Sequence, residues 1–428
     1  MPINGGDMMK KNVILLLSIC FCLTFLISAC RGETDTQLES SYSDETSENA
    51  TSEPDKVVSI TINPDSVYDP ESDYDYMFRE VSNGSCAARS DKGYYFINKE
   101  IIYFSDAGKI SPIPLCNRIN CTHDGDGCNA YIGDQEQMNI SYCDGYVYTV
   151  IADIISSTEM SPKLLRIAAD GSSKDVVLDD MAITGCIVFH RGYGYYASSD
   201  YDISSEDVIS HTRLMRLDLS DYSQDVIYET DGEISWIMAY GDYLYINVSK
   251  RLDKGEEICE FDERYYYTST GDIDFKEAPL PDGTSQAVMS FSNGKIILSL
   301  MFDDLSGFAW LTEPDERDNV IYISDLDFTD MTEWNTKKEH ISMGTDGNLI
   351  YEDNFVRFLY GLDESRSLEI SDKDHNKITT VDLPVSYNSS ARYGDENYYF
   401  YLDESGESLY YLDKRTLSSD TVELTSVF

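Results

Sequence analysis

One pattern recurs along this chain, and it leaves few folds open. Residues 234–248 read as an apolar run, Gly241-Asp242, and a second apolar run, Tyr243 to Val248. Glycine supplies the positive φ that a tight turn needs, so the stretch predicts a β-hairpin. Variants open at Gly93, Gly145, Gly194, Gly241, Gly294, Gly347 and Gly394, at intervals of 47 to 53 residues. Each is followed by a run such as Tyr146-Val147-Tyr148, Ile296-Ile297-Leu298, Leu349-Ile350-Tyr351 or Tyr398-Tyr399-Phe400. Third runs follow, at 164–167, 214–217, 320–323 and 409–412, each ending near an aspartate. Fourth runs close the unit at 175–178, 225–228, 378–381 and 422–424. Four short strands in about 50 residues is the period of a β-propeller blade. Several runs are apolar on both faces, as in a sheet packed between two others. The 33 Tyr and 16 Phe suit pleated, packed strands. The expectation is an all-β protein, a β-propeller of seven four-stranded blades over 82–428, with six or eight as the neighbouring counts.

The N-terminus carries an address. Lys10-Lys11 precede an apolar run from Val13 to Ile27, and then come Ser28-Ala29-Cys30. A positive start, a short apolar core and small residues before the cut describe a secretory signal. A cysteine directly after Ser-Ala reads as a lipobox, in which the Cys30 thiol is diacylated and becomes the new terminus. Residues 31–56 are rich in Ser, Thr, Glu and Asp and cannot bury enough apolar surface to order themselves. The predicted organisation is a signal at 1–29, a lipidated Cys30 with an acidic tether to residue 56, a lead-in segment at 57–81, and the propeller. Within the lead-in, Val57 to Ile62 alternates like a strand that could cover the edge between first and last blades. The location implied is the outer face of the cell membrane, held by lipid.

The formal net charge of −46 repels nucleic acid and anionic lipid headgroups. Partners are therefore expected among extracellular ligands and proteins.

Connectivity sorts the loops of a propeller. First-to-second and third-to-fourth strand turns share one face, while second-to-third loops and blade-to-blade connections share the other. Here the first-to-second turns are tight, and the second-to-third loops read as long, at 153–162, 198–212, 250–257 and 303–319. Long loops on a rigid scaffold are where binding usually sits. Asp303, Asp304, Phe308, Trp310 and Tyr201 are the binding-face candidates, because aromatic rings beside carboxylates suit sugars, peptides or cationic groups.

Between the first and second blades lies Cys116-x4-Cys121-x-His123-x4-Cys128. Connectivity assigns it to the elaborated face. Disulfides are the first reading, since they form in exported proteins. Closing Cys116 to Cys128 would stabilise by roughly 3 kcal/mol in the chain-entropy model. Zinc is the second reading, since three thiols and an imidazole complete a tetrahedral set. No other cofactor is predicted. The chain shows no phosphate loop, dinucleotide fingerprint, nucleophile elbow or zinc-protease helix motif.

The lipobox at Cys30, the repeated Gly-x-x-Tyr hairpins and Leu115-Cys116-x4-Cys121-Thr122-His123-x4-Cys128-Asn129-Ala130-Tyr131 resemble a group of exported lipoproteins of Gram-positive anaerobes. Their propellers are similar to TolB-like and low-density-lipoprotein-receptor-like domains. The resemblance covers nearly the whole mature chain. It implies an extracytoplasmic propeller and no established activity. The expected function is a cell-surface binding or scaffold module for a glycan, peptide or protein. The alternative is a carbohydrate-active lyase or glycoside hydrolase using carboxylates at the central channel. No catalytic residue is singled out, because with 78 Asp and Glu no pair stands apart.

Overall fold

The computed structural model describes residues 87–428, apart from 134–135, 157–158, 180, 203–208, 254–258, 271, 293, 303–318, 336–348, 352–353, 361–365, 373–376, 383–391, 396, 403–407 and 418–421. All of them belong to the unit Val57–Phe428. The candidate Cys30, the lead-in 57–81 and Cys86 lie outside the described residues, as do Asp303, Asp304, Phe308 and Trp310.

Among the described residues seven four-stranded antiparallel sheets follow one another, each made of consecutive strands. The first holds β1 (Ala87–Arg89), β2 (Gly93–Asn98), β3 (Ile101–Asp106) and β4 (Ile113–Pro114). The second holds β5 (Glu136–Cys143), β6 (Tyr146–Ser156), β7 (Glu159–Ala168) and β8 (Lys174–Leu178). The third holds β9 (Thr184–His190), β10 (Tyr193–Asp202), β11 (Ile209–Asp218) and β12 (Gln224–Thr230). The fourth holds β13 (Glu233–Tyr240), β14 (Tyr243–Asp253), β15 (Cys259–Ser269) and β16 (Lys276–Glu277). The fifth holds β17 (Thr284–Ser292), β18 (Lys295–Phe302), β19 (Asn319–Asp325) and β20 (Thr332–Asn335). The sixth holds β21 (Leu349–Tyr351), β22 (Asn354–Tyr360), β23 (Arg366–Asp372) and β24 (Lys377–Asp382). The seventh holds β25 (Arg392–Gly394), β26 (Tyr398–Leu402), β27 (Leu409–Asp413) and β28 (Leu424–Ser426).

The sheets pack face on face, and the fold is an all-β propeller with four-stranded blades. Tyr95, Ile102, Ile140 and Ile167 join the first sheet to the second. Tyr148, Ile187 and Phe189 join the second to the third. Tyr195, Ile237, Tyr245 and Phe291 run from the third through the fourth to the fifth. Tyr94 and Phe96 meet Tyr398 and Phe400, so the first sheet packs directly on the seventh. A sheet covered on both faces needs apolar side chains on both, and residues 236–240 of β13 are accordingly all buried.

The turn chemistry was only partly legible. Gly145 and Gly241 sit at first-to-second strand turns with φ of 79° and 58°, and Gly294 at 71° does the same for the fifth sheet. Asp144 with Gly145 and Arg191 with Gly192 both have positive φ, as a type I′ turn requires. The third sheet therefore turns at Gly192, and Gly194 lies inside β10 opposite Phe189 and Leu217. Gly93 is the first residue of β2, where an added Cβ would lie 2.0 Å from the Ser105 carbonyl oxygen. Gly394 ends β25 rather than making the turn. Leu349 to Tyr351 form a first strand, not a second, with Tyr351 paired to Asn354. Gly347 is outside the described residues.

Of the four expected long loops, 303–319 lies outside the described residues but for Asn319, and the described parts of the other three are paired strand. β6 and β7 stay paired out to Ser156 opposite Glu159, with one register shift between Ile154 and Ser156. β10 and β11 reach Asp202 opposite Ile209, and β14 and β15 reach Asp253 opposite Cys259. Backbone hydrogen bonding continued through sequences whose Asp, Ser and Lys content suggested a loop, because a two-stranded ladder needs no apolar face at its solvated end.

Hydrogen bonds from one sheet to the next recur at equivalent places. Tyr95, the third residue of β2, donates to the Ala169 carbonyl of the second sheet at 3.4 Å. Tyr245, the third residue of β14, donates to the Leu326 carbonyl of the fifth at 2.7 Å. Turns meet as well. His190 Nε2 donates to the Gly241 carbonyl at 2.7 Å, and Arg191 is paired with Asp242. Gly294 N donates to the Tyr240 hydroxyl at 3.2 Å. Between the seventh and first sheets, Tyr94 donates to Asp395 Oδ2 at 2.6 Å, and Arg89 lies 3.5 Å from the same oxygen. Burial pushes the Asp395 carboxyl up and the Tyr94 phenol well above its usual range.

Two predictions follow from these ties. Tyr245→Phe leaves the Leu326 carbonyl without its donor and should destabilise the protein by about 1–2 kcal/mol, read as a lower urea midpoint at unchanged slope. His190 is fully enclosed, and burial holds its pKa at about 4. An unfolded histidine titrates near 6.5, so between these values only the unfolded chain takes up the proton. The stability that neutral His190 contributes is complete above about pH 6.5 and is lost as pH falls towards 4, by on the order of 3 kcal/mol. Urea midpoints of the native chain and His190→Gln should therefore converge over that window. A pH-independent difference would contradict a buried neutral imidazole.

Candidate metal centre

The cysteine-rich insertion begins where β4 ends. Leu115 N donates to the Ile102 carbonyl at 2.9 Å, carrying the pairing with β3 one residue past β4. Cys116 N then turns back to the Pro114 carbonyl at 2.8 Å. Asn120 and His123 both take left-handed backbone conformations, with φ of 59°. Cys128 N closes a turn on the Gly125 carbonyl at 2.8 Å. The chain rejoins the first sheet through Ile102 N, which donates to the Ala130 carbonyl at 2.9 Å, and through Ile132 N to the Glu100 carbonyl at 2.8 Å. Both ends of the insertion are thus held by the amide and carbonyl of one fully buried residue, Ile102.

A second anchor comes from the neighbouring sheet. The Gly171 carbonyl, in the turn between β7 and β8, accepts from Asn129 Nδ2 at 2.8 Å and from Asn117 N at 3.4 Å. Asn129 is buried. Lys174 Nζ donates to the Tyr131 carbonyl at 2.6 Å. The insertion therefore lies against a third-to-fourth strand turn, not with the second-to-third hairpins as connectivity alone suggested.

This framework brings the four sequence candidates together. The thiol sulfurs of Cys116, Cys121 and Cys128 and a ring nitrogen of His123 all lie within 4.8 Å of one another. His123 Nδ1 is 3.2 Å from Cys128 Sγ, and Ala130 N donates to the same sulfur at 3.3 Å. Cys128 is buried and the other three are half-buried. Cys116, Cys121, Cys128 and Cys143 are not joined in disulfides in this structure, which among the described residues holds no counterpart of the staple expected first. Burial pushes the Cys128 thiol up to about 11. Burial acts in the same sense on Cys116, but hydrogen bonds from the Arg118 and Asn129 amides and from the neighbouring thiols outweigh it and hold that thiol below its ordinary range. Burial also lowers the Lys174 ammonium, against the pull of Asp126, Cys128 and Cys116. Three sulfurs and one imidazole nitrogen in mutual reach are a donor set for a tetrahedral divalent metal.

The remaining candidates are dispersed. Tyr201 lies in β10 opposite Ser210, on a projecting hairpin of the third sheet. Composition singled out none of Ile102, Gly171, Asn129 and Lys174. Of these, Gly171 carried a signal in the Asp170-Gly171 turn dipeptide, and Asn129 stands in the cysteine motif that carries the resemblance.

Gly171 tests the anchor. Its φ is +72°, and an added Cβ would stand 2.8 Å from both Cys116 N and the Leu115 carbonyl carbon. Gly171→Ala should cost about 1–3 kcal/mol and raise the rate at which Cys116 and Cys128 react with a thiol reagent. Unchanged reactivity would mean that this turn does not hold the insertion.

No protein-family model matches this chain, and no curated protein matches it. Among solved structures it is similar to the tricorn protease, at 8% identity and a TM-score of 0.48, over 84% of this chain and 36% of that one. It is similar to oligogalacturonate lyase from Vibrio parahaemolyticus, at 10% identity and a TM-score of 0.47, over 86% of this chain and 92% of that one. It is also similar to the β-propeller domain of the Trilobed protease from Pyrococcus furiosus, which has an open velcro topology, at 12% identity and a TM-score of 0.46, over 83% of this chain and 98% of that one.

Proposed function

We propose that this protein is a lipid-anchored, extracytoplasmic propeller of seven blades that serves as a binding module for an extracellular glycan, peptide or protein. The observation that carries the reading is the row of hairpins β6–β7, β10–β11 and β14–β15. In three successive sheets the second and third strands run on past the first and fourth. β14 pairs with β15 from Tyr243 to Asp253, while the β13 pairing stops at Ser249 and β16 reaches only Tyr266 and Tyr267. An isolated two-stranded hairpin is marginal in water and exposes its edges. Three in a row on one rigid scaffold are better understood as a recognition surface than as loops. Phe261 stands 58% exposed on the β14–β15 hairpin, opposite Arg251. An exposed ring beside charged groups suits the faces of a sugar or a peptide side chain. The leader supports the anchoring, with Cys30 directly after Ser28-Ala29.

The test combines address and binding. Cys30→Ser should release the protein into the medium or leave it unprocessed. Probes are cell-wall glycan fragments and peptides on an array, with hits measured in solution. Phe261→Ala should weaken binding about tenfold, near 1.4 kcal/mol, while leaving the urea midpoint within about 0.5 kcal/mol of native. A ligand that the protein cleaves would establish the carbohydrate-active alternative in place of a pure binding module. Membrane retention of an acylated, cleaved Cys30→Ser protein would overturn the lipobox.

A further inference from the structure

We infer that Cys116, Cys121, His123 and Cys128 bind one Zn2+ in a closed, structural site that fastens the rim of the first blade to the second. The donor set is the first ground. Tetrahedral zinc with bonds near 2.3 Å to sulfur and 2.0–2.1 Å to nitrogen places its ligand atoms about 3.5–3.8 Å apart. The four atoms here already lie within 4.8 Å of one another, and one pair is at 3.2 Å.

The surroundings are the second ground. Ala130 N donates to Cys128 Sγ at 3.3 Å. Backbone donors aimed at sulfur offset thiolate charge around a metal. Zinc uptake releases three thiol protons to solvent, so the loaded cluster carries a charge of −1. The Lys174 ammonium, fixed on the Tyr131 carbonyl, lies close enough to interact with Cys116 and Cys128. Its charge opposes that of the loaded cluster.

The insertion itself is the third ground. Ile119, its one large aliphatic residue between Cys116 and Cys128, is 91% exposed. A segment that buries so little apolar surface does not hold two left-handed residues and four converging ligands by packing alone. All four positions are filled by protein, which leaves no site for substrate and marks a structural role rather than a catalytic one.

The experiment uses the full chain purified in detergent without chelator. Elemental analysis should give one zinc per chain. A mercurial thiol reagent should release that zinc, as read by a chromogenic chelator, in step with loss of three thiols. His123→Ala and Cys121→Ser should lose the metal, and His123→Cys should keep it. Reconstitution with Co2+ should give the intense visible absorption of a tetrahedral thiolate site. If the serine variants do not fold, the zinc stoichiometry, mercurial release and Co2+ spectrum of the native chain still decide the matter. Iron or copper in place of zinc overturns the inference. So does a disulfide within 116–128 on peptide mapping, or a metal-free chain with three reactive thiols that gives no tetrahedral Co2+ spectrum. None of these outcomes bears on ligand binding at the hairpins, so the two readings fail separately.

Discussion

The contact between the first-to-second strand turn of one sheet and the same turn of the next is what the propeller depends on. A four-stranded sheet cannot bury both faces alone, so each blade is stable only when its neighbours are in place. Apolar packing brings sheets together but says little about their rotation. The turns add direction. His190 and Arg191 grip Gly241 and Asp242, and Tyr240 reaches Gly294. Tyr94 does the equivalent for the first and seventh sheets by donating to Asp395, whose other oxygen accepts from Asn397 N and Tyr398 N at 2.8 and 2.9 Å. One buried carboxylate thus holds a phenol of the first sheet and two amides of the seventh.

A second device, repeated in the second and third sheets and varied in the fourth, lies further out on the blades. Arg166 stacks 4.6 Å over the Tyr146 ring and pairs with Asp175 on β8. Arg216 stacks 5.3 Å over Tyr193 and pairs with Asp225 on β12. In the fourth sheet Tyr267 meets Tyr243, and Arg264 pairs with Glu277. Each pair is exposed and contributes little by itself. Together they place scarce positive charge beside acidic neighbours in a chain with 78 acidic and 32 basic residues. They also explain why tyrosine opens so many second strands. Its ring carries the guanidinium, while the tyrosine two residues later points inward and reaches the next blade.

That spacing shows what the sequence could and could not reveal. Strand type and period were legible, since aromatic runs at a near-constant interval survive loop variation. The turn positions were not, because Arg191-Gly192-Tyr193-Gly194 offers two glycines and only backbone φ separates them. Aligning Tyr148, Tyr195 and Tyr245 as third residues would have placed the turn at Gly192. The projecting hairpins were misread for a different reason. Residues such as Asp200, Asp202 and Lys250 look like loop, yet a ladder at a solvated end is held by main-chain groups that composition does not report. For the cysteine cluster, the four residues were legible and their chemistry was not. Spacing of four, one and four residues fits a staple or a metal equally well, and it carries no trace of the ties to Ile102 and Gly171 that hold both ends.

The position of the cluster ties local chemistry to the architecture. Cys128 belongs to the same buried set as Tyr95, Ile140 and Val147, which is the core between the first and second sheets. Tyr95 also stacks on Tyr142 with ring centroids 5.6 Å apart and donates to Ala169, two residues before Gly171. The insertion thus closes over the interface at which the first blade meets the second. β4 is only two residues long and cannot cover that interface itself. A longer outer strand would have done so by ordinary pairing. This chain instead leaves the strand short and lays a polar segment across the gap, held by Gly171 and Lys174 on the second sheet and by Ile102 on the first. Such a segment buries too little to fold on its own, so whatever draws its four ligands together also completes the edge of the first blade.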